Sequence, residues 1–344
     1  MVVYAKFFTV YNLQQHAAFQ TTGYDLGNYD QAMWNTLHGK PLAMTTVKSI
    51  SSRWAAHFEP ILLLLVPIYA AFGFPQTLLV LQTIIVALGA VPIFLLTRQR
   101  LASDLAGLAF ATVYLLFPAL QAAVTFDFHA VTMASTFLSF ALWFLATQRY
   151  RLLATMALLA MSCKEDIPLL VFMMGLYVLI VQCQPRVGLI TMIVSLVWFV
   201  IAVYVIIPVF HPGGGNEYVY RYRDWGDSMS QIMFNIMTNP WQVFSVVTAG
   251  DKTLYWIRFT MPVSFTALLD PLTVILATPT LLINTLGNYP LTYQLDLYHS
   301  SGPLAAYVTF ASINGLARLI DFSERKLKQI RPGFLRNLTN ATLG

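Results

Sequence analysis

The residues with chemistry to offer lie in six short motifs. Asp25 and Asp30 sit in "GYDLGNYDQAMWNTLHGK", residues 23–40. A carboxylate there could act as a general base or hold a divalent metal, with Asp25 the metal candidate. The same stretch places Leu26, Tyr29, Met33, Trp34 and Leu37 at helical spacing, so a cap role for Asp25 and a solvated face for Asp30 compete with chemistry. His57 and Glu59 form "HFEP", where Pro60 suits the first turn of a helix capped by Glu59, or where an imidazole and a carboxylate face the first loop. Asp127 and His129 alternate with Phe126 and Phe128, which puts the polar pair on one side of an extended link. Lys164, Glu165 and Asp166 follow a short apolar run, either as a turn with an internal Lys–Glu pair or as a charged cluster in which Lys164 meets phosphate. Arg221 and Arg223 interleave with Tyr218, Tyr220 and Tyr222, a surface suited to lipid phosphates or carbohydrate stacking. Asp296 and His299 share a helical face beside an interfacial aromatic belt of Tyr289, Tyr293 and Tyr298.

The elements that must position these motifs are mostly apolar. Of 344 residues, 57% are hydrophobic and 10% charged, with a mean hydropathy of +0.64. Soluble domains carry about 25% charge, so the chain reads as an all-α polytopic membrane protein. A net charge of +5 is then a matter of loop placement and not of nucleic-acid binding. A helical span needs roughly 20 apolar residues. Such runs lie at 77–97, 103–123, 129–147, 167–183, 188–210 and 302–320, with shorter or Pro-interrupted ones at 151–163, 255–270 and 271–287. Together they predict about nine transmembrane helices, with juxtamembrane helices in a first outer loop and "PILLLLVPIYAAFGF" (60–74) not crossing. Basic turns at 97–100, 148–151 and 184–186, with the tail 323–331, then share one side, which is the cytoplasm. The six motifs fall on the other face of the cytoplasmic membrane. The divisions that follow are an outer juxtamembrane region, 1–59, whose preceding helix is expected to be missing; a helical domain, 60–320, with an outer loop at 211–254; and a basic tail, 321–344, expected to be truncated. Cys163 and Cys183 read as small apolar residues, and the sequons at Asn337 and Asn340 as chance matches. GxxxxGK[ST], HExxH and GxSxG are all absent, which lowers nucleotide hydrolases and soluble-type peptidases.

"GYDLGNYDQAMWNTLHGKP", "HFEP", "FDFHAVTMA", "CKEDIPLL" and "LYHSSGPLAA" resemble the bacterial and archaeal membrane family known as domain of unknown function 2079, over about residues 19–320. The family carries no assigned reaction. It is similar, more remotely, to integral-membrane glycosyltransferases of the GT-C type, which use polyprenyl-phosphate sugars. That resemblance implies a GT-C-like fold, membrane lipid as a partner and a polyprenyl-phosphate sugar donor. It casts Asp25 or Asp30 as base or metal-bound carboxylate and Glu59 as a second acid. Lys164 with Arg221 or Arg223 would contact the donor phosphate. A transporter or flippase and a non-catalytic membrane scaffold are the alternatives.

Overall fold

The computed structural model describes the backbone of residues 1–341 and the side chains of residues 1–326. Residues 327–331 of the basic tail and both sequons therefore lie outside the described side chains. Among the described residues the chain is helical, and its one β feature is an isolated bridge between Ala43 and Ser52. Helices α1 (Val2–Ala17), α2 (Leu26–Leu37), α3 (Arg53–Ala56) and α4 (Ile61–Phe72) precede the first long apolar element. That element joins α5 (Pro75–Leu88) and α6 (Ala90–Leu101) into one 27-residue helix. Gly89 at the joint lies against Tyr114, whose hydroxyl would collide with any added Cβ. Helices α7 (Asp104–Leu115) and α8 (Pro118–Thr125) follow, bent by 49° at the break. The break precedes Pro118, which has no N–H for the i−4 carbonyl and forces Phe117 out of helical conformation.

Next come α9 (Ala130–Ala146), α10 (Tyr150–Met161), α11 (Ile167–Ile180) and α12 (Pro185–Ile201). A π-helical turn at Ala202–Ile206 carries α12 into α13 (Ile207–Phe210), where Pro208 interrupts the ordinary ladder. The chain closes with α14 (Met229–Thr238), α15 (Pro240–Val247), α16 (Asp251–Thr260), α17 (Pro271–Leu276), α18 (Thr278–Leu286) and α19 (Leu304–Ala341). Among the described residues, three helices are long and apolar enough to cross a membrane: Pro75–Leu101, Pro185–Phe210 and His299–Lys326. The bent pair α7–α8 makes a fourth if it is one span. Helices α4, α9, α10 and α11 are shorter apolar helices.

Helix α9 is the hub, buried on nearly every face and packed against α5, α6, α10 and α19. Two of its small polar residues are satisfied by the helices themselves: Thr136 Oγ1 donates to the Ile85 carbonyl and Ser139 Oγ to that of Ser135, so neither hydroxyl needs water there. Helix α1 lies along α5, where Asn12 Nδ2 donates to Thr83 Oγ1 at 3.3 Å and to the Val124 carbonyl at 3.0 Å. Two apolar runs differ from uniform helices. Over 255–270, Pro262 and left-handed Ser264 and Phe265 reduce the chain after α16 to 3₁₀ turns. Residues 271–287 form α17 and α18 in place of one rod.

Candidate functional site

A chamber of about 310 Å³ lies where the N-terminal ends of α2 and α9, the α10–α11 turn, the 3₁₀ segment Val219–Trp225 and the turn His299–Ser301 meet. Asp25, His57, His129, Lys164, Arg221 and His299 all line it. Six residues from six separate sequence motifs thus line one chamber.

Asp25 stands at the N-terminus of α2, yet its side chain makes no cap hydrogen bond. Its Oδ2 accepts from Thr22 Oγ1 at 3.0 Å, and its Oδ1 lies 3.3 Å from His129 Nε2. Burial pushes its pKa up, but His129 and Thr22 together hold the carboxyl below its ordinary value. His129 is positioned by a strained turn: Asp127 has φ 117°, a region that only glycine enters freely. Gln82 fixes that turn from α5, donating to the Asp127 carbonyl at 2.9 Å and accepting from the His129 backbone N–H at 2.8 Å. The Asp127 carboxylate faces away, accepting from the Thr22 backbone N–H at 2.9 Å, and burial raises its pKa despite that bond. On its other side the His129 ring stacks on His299, with centroids 3.7 Å apart and planes within 13°.

Across the chamber, His57 Nδ1 lies 2.8 Å from Glu165 Oε1, and the Phe58 backbone N–H donates to Glu165 Oε2 at 3.2 Å. Burial raises the Glu165 pKa; the adjacent His57 and Lys164 outweigh it and bring the group below the ordinary carboxylate range. The His57 ring also stacks on Tyr218 at 4.7 Å. Lys164 Nζ sits 3.4 Å from Asp166 Oδ1. Burial favours the neutral amine, but Asp166 and Glu165 raise its pKa and keep it charged. Arg221 is gripped by two aromatic faces, Tyr218 and Tyr289, each with its ring centroid 4.4 Å from the guanidinium carbon. Its Nε is buried without a hydrogen-bond partner.

Glu59 lies behind the wall, 1% exposed, and its carboxylate is fully engaged. Arg53 Nε donates to Oε2 at 2.7 Å, and the Tyr29 hydroxyl donates to Oε1 at 2.6 Å. Arg53 Nη2 in turn donates to the Tyr29 hydroxyl at 2.6 Å. Burial opposes the charge on Glu59, and Arg53 more than restores it, so the carboxyl titrates below its usual range. The remaining sequence candidates are placed elsewhere. Asp30 accepts from the Tyr69 hydroxyl at 2.5 Å on the α4 side, Arg223 is exposed, and Asp296 pairs with Arg258 at 3.1 Å on the surface. Glu165 and Asp166 support the lining without being part of it. Residues to which the sequence assigned no chemistry also serve the site: Arg53 and Asn284 line it, while Tyr29 and Gln82 support it from behind. Asn284 donates to the Tyr255 hydroxyl at 2.9 Å in a buried network beneath the chamber. Among the described residues no three His, Cys, Asp or Glu side chains gather as a metal cluster, and the one such neighbour of Asp25 reported above is His129.

A bundle of apolar helices closed at one end by a charged, aromatic-walled chamber defines an integral membrane protein with a concentrated polar site. The chain belongs to the family described as Predicted membrane protein (DUF2079), whose model matches residues 15–335. No curated protein and no solved structure matches it.

Proposed function

We propose that this chamber carries out group transfer from a lipid-phosphate donor, in the manner of GT-C-type glycosyltransferases using polyprenyl-phosphate sugars. The observation that carries the reading is the presence, in one cavity, of a carboxylate–imidazole pair together with two cations: Asp25–His129 on one wall, Lys164 and Arg221 on others. Arg221 is the natural phosphate contact, because its charge is held by tyrosine faces and it has no carboxylate partner among the described residues. An acceptor hydroxyl would lose its proton to Asp25 as its oxygen bonds to the anomeric carbon. The bond from that carbon to the phosphate oxygen breaks, and Lys164 and Arg221 neutralise the departing phosphate. Tyr220, Tyr289 and Tyr298 supply faces for a sugar ring. Glu59 receives a positioning role, since both its oxygens hold Arg53 and Tyr29. The reading includes about nine crossings, with the chamber on the non-cytoplasmic face, because Arg98 in the last turn of α6, Arg149 in the α9–α10 turn and Arg186 at the start of α12 lie at the helix ends away from it.

The test is transfer of label from a panel of polyprenyl-phosphate sugars by the full chain in proteoliposomes. Asp25→Asn is expected to lower the rate by about 10² to 10⁴. Wild-type transfer by Asp25→Asn removes the base from the mechanism. Flux of intact substrate with no covalent change replaces the reading with a transporter.

A further inference from the structure

Residues 228–250 lie within a segment whose polar flanks mark it as an aqueous loop, yet they contain no Asp, Glu, Lys, Arg or His. They fold into α14 and α15, joined at Asn239–Pro240. Both helices are apolar on two faces. The inner face is satisfied: Ile232 and Val247 are buried with Trp225 and Leu286, and Ile236, Val243 and Val246 pack around them. The outer face is not covered by the chain. Phe234, Met237, Trp241 and Phe244 are 66%, 76%, 79% and 56% exposed, and the Trp241 and Phe244 rings stack at 5.7 Å. A soluble surface rarely leaves such large apolar side chains together in water.

The depth of the hairpin identifies what covers it. The Tyr204 hydroxyl meets Met233 Sδ at 3.6 Å. Tyr204 lies six residues before Phe210, the end of the span Pro185–Phe210, or roughly 9 Å down its axis at helical rise. The hairpin therefore flanks the last turns of a membrane helix, on which Val205 and Val209 are likewise exposed. Tryptophan and phenylalanine on an amphipathic helix at that depth are the side chains of a lipid interface.

We infer that the α14–α15 hairpin is a membrane-interface element whose Phe234, Met237, Trp241 and Phe244 side chains rest in the lipid of the leaflet beside the chamber. It holds the chamber's arginine segment at headgroup depth. The coupling is direct. Asn235 Nδ2 donates to the Trp225 carbonyl at 2.8 Å, and Trp225 Nε1 donates to the Leu286 carbonyl at 3.1 Å. The segment Val219–Trp225 thus rests on the hairpin while Arg221 points into the cavity. This inference rests on the membrane class of the protein and is independent of the group-transfer proposal.

The experiment compares wild type with Trp241→Phe in liposomes of phosphatidylcholine brominated at an upper acyl position, using acrylamide as the aqueous quencher. The fluorescence lost in Trp241→Phe is expected to be blue-shifted, quenched by the brominated lipid and protected from acrylamide. Quenching by acrylamide without quenching by the lipid overturns the inference. A second measurement places a cysteine by Met237→Cys in a Cys183→Ser background. Protection from a membrane-impermeant maleimide in liposomes supports lipid burial. A disulfide-linked dimer through that cysteine instead assigns the face to a second copy of the chain and overturns it.

Discussion

Asp25 and Glu59 are carboxylates used in opposite ways. Asp25 has one imidazole at 3.3 Å and a hydroxyl at 3.0 Å and keeps a face on the cavity, whereas Glu59 is saturated by Arg53 and Tyr29. Glu59→Gln leaves the Arg53 guanidinium buried without its counter-charge, and removing one member of such a pair costs about 3–5 kcal/mol. Thermal unfolding in detergent should therefore fall sharply for Glu59→Gln and hardly at all for Asp25→Asn, whose proposed role is in transfer. An unchanged midpoint for Glu59→Gln would show that Arg53 finds other partners. The pH dependence has a definite sign. The folded pKa of Glu59 lies below its unfolded value of 4.5, so its stabilisation is complete above that value and disappears only as pH falls through the lower folded one. The deficit of Glu59→Gln relative to wild type should stay constant between pH 7 and pH 5. A deficit that shrinks over that window contradicts the assignment. Asp25, His57, His129, Lys164, Arg221 and His299 were legible because ionisable residues stand out in an apolar chain. Arg53 was not, because "SSRWAA" reads as an ordinary polar loop and only the tertiary fold buries it 5% exposed against Glu59. Gln82 was hidden for a related reason: its role is to satisfy the backbone of a turn 45 residues away.

Helices α11 and α12 approach closely enough that their glycines touch. A Cβ on Gly188 would fall 2.7 Å from the Leu179 nitrogen and 2.9 Å from the Gly175 carbonyl oxygen. Those neighbours are backbone and cannot swing aside, so the two helices themselves would have to part. Small residues at membrane-helix contacts permit this separation, and overpacking such a contact costs about 1–3 kcal/mol. Gly188→Val should lower the unfolding midpoint, while Gly215→Ala, with nothing within 4 Å of its added Cβ, should leave it in place. Equal midpoints for the two variants would mean that the contact yields. At this scale hydropathy located the long helices well, because Pro75–Leu101 and Pro185–Phe210 each contain a long stretch of high mean hydropathy. It left α1 unassigned, since Lys6, Asn12 and Gln14 dilute a helix whose buried face is only Tyr4, Phe8 and Asn12. It read 255–270 as a shorter or Pro-interrupted run, and composition does not show that the left-handed Ser264 and Phe265 that follow Pro262 turn the chain into 3₁₀ pieces. The α14–α15 hairpin escaped notice for the opposite reason: each helix is too short to register as membrane-bound until both are seen on one surface.

The molecule is polar at one end and basic at the other, and that polarity makes the proposed orientation testable with residues already in the chain. Helix α9 leads from His129 at the chamber to Arg149, and α11 leads from Asp166 to Cys183 and Arg186. At helical rise, the 17 residues of α9 separate the two ends by about 25 Å, close to the thickness of a bilayer's hydrocarbon core. Cys183 is exposed at the basic end, and Cys163 is buried near the chamber. Gly215 is an exposed position in the loop that follows His211, and an added Cβ there has nothing within 4 Å. With arginines on the cytoplasmic side, Gly215→Cys should react with an impermeant maleimide in intact cells. The native Cys183 should react only after permeabilisation, and Cys163 in neither state. Labelling of Cys183 in intact cells, with Gly215→Cys protected, would invert the protein. It would also draw the donor from the cytoplasmic leaflet, because the chamber, the hairpin and the Arg221 segment all sit at the same end.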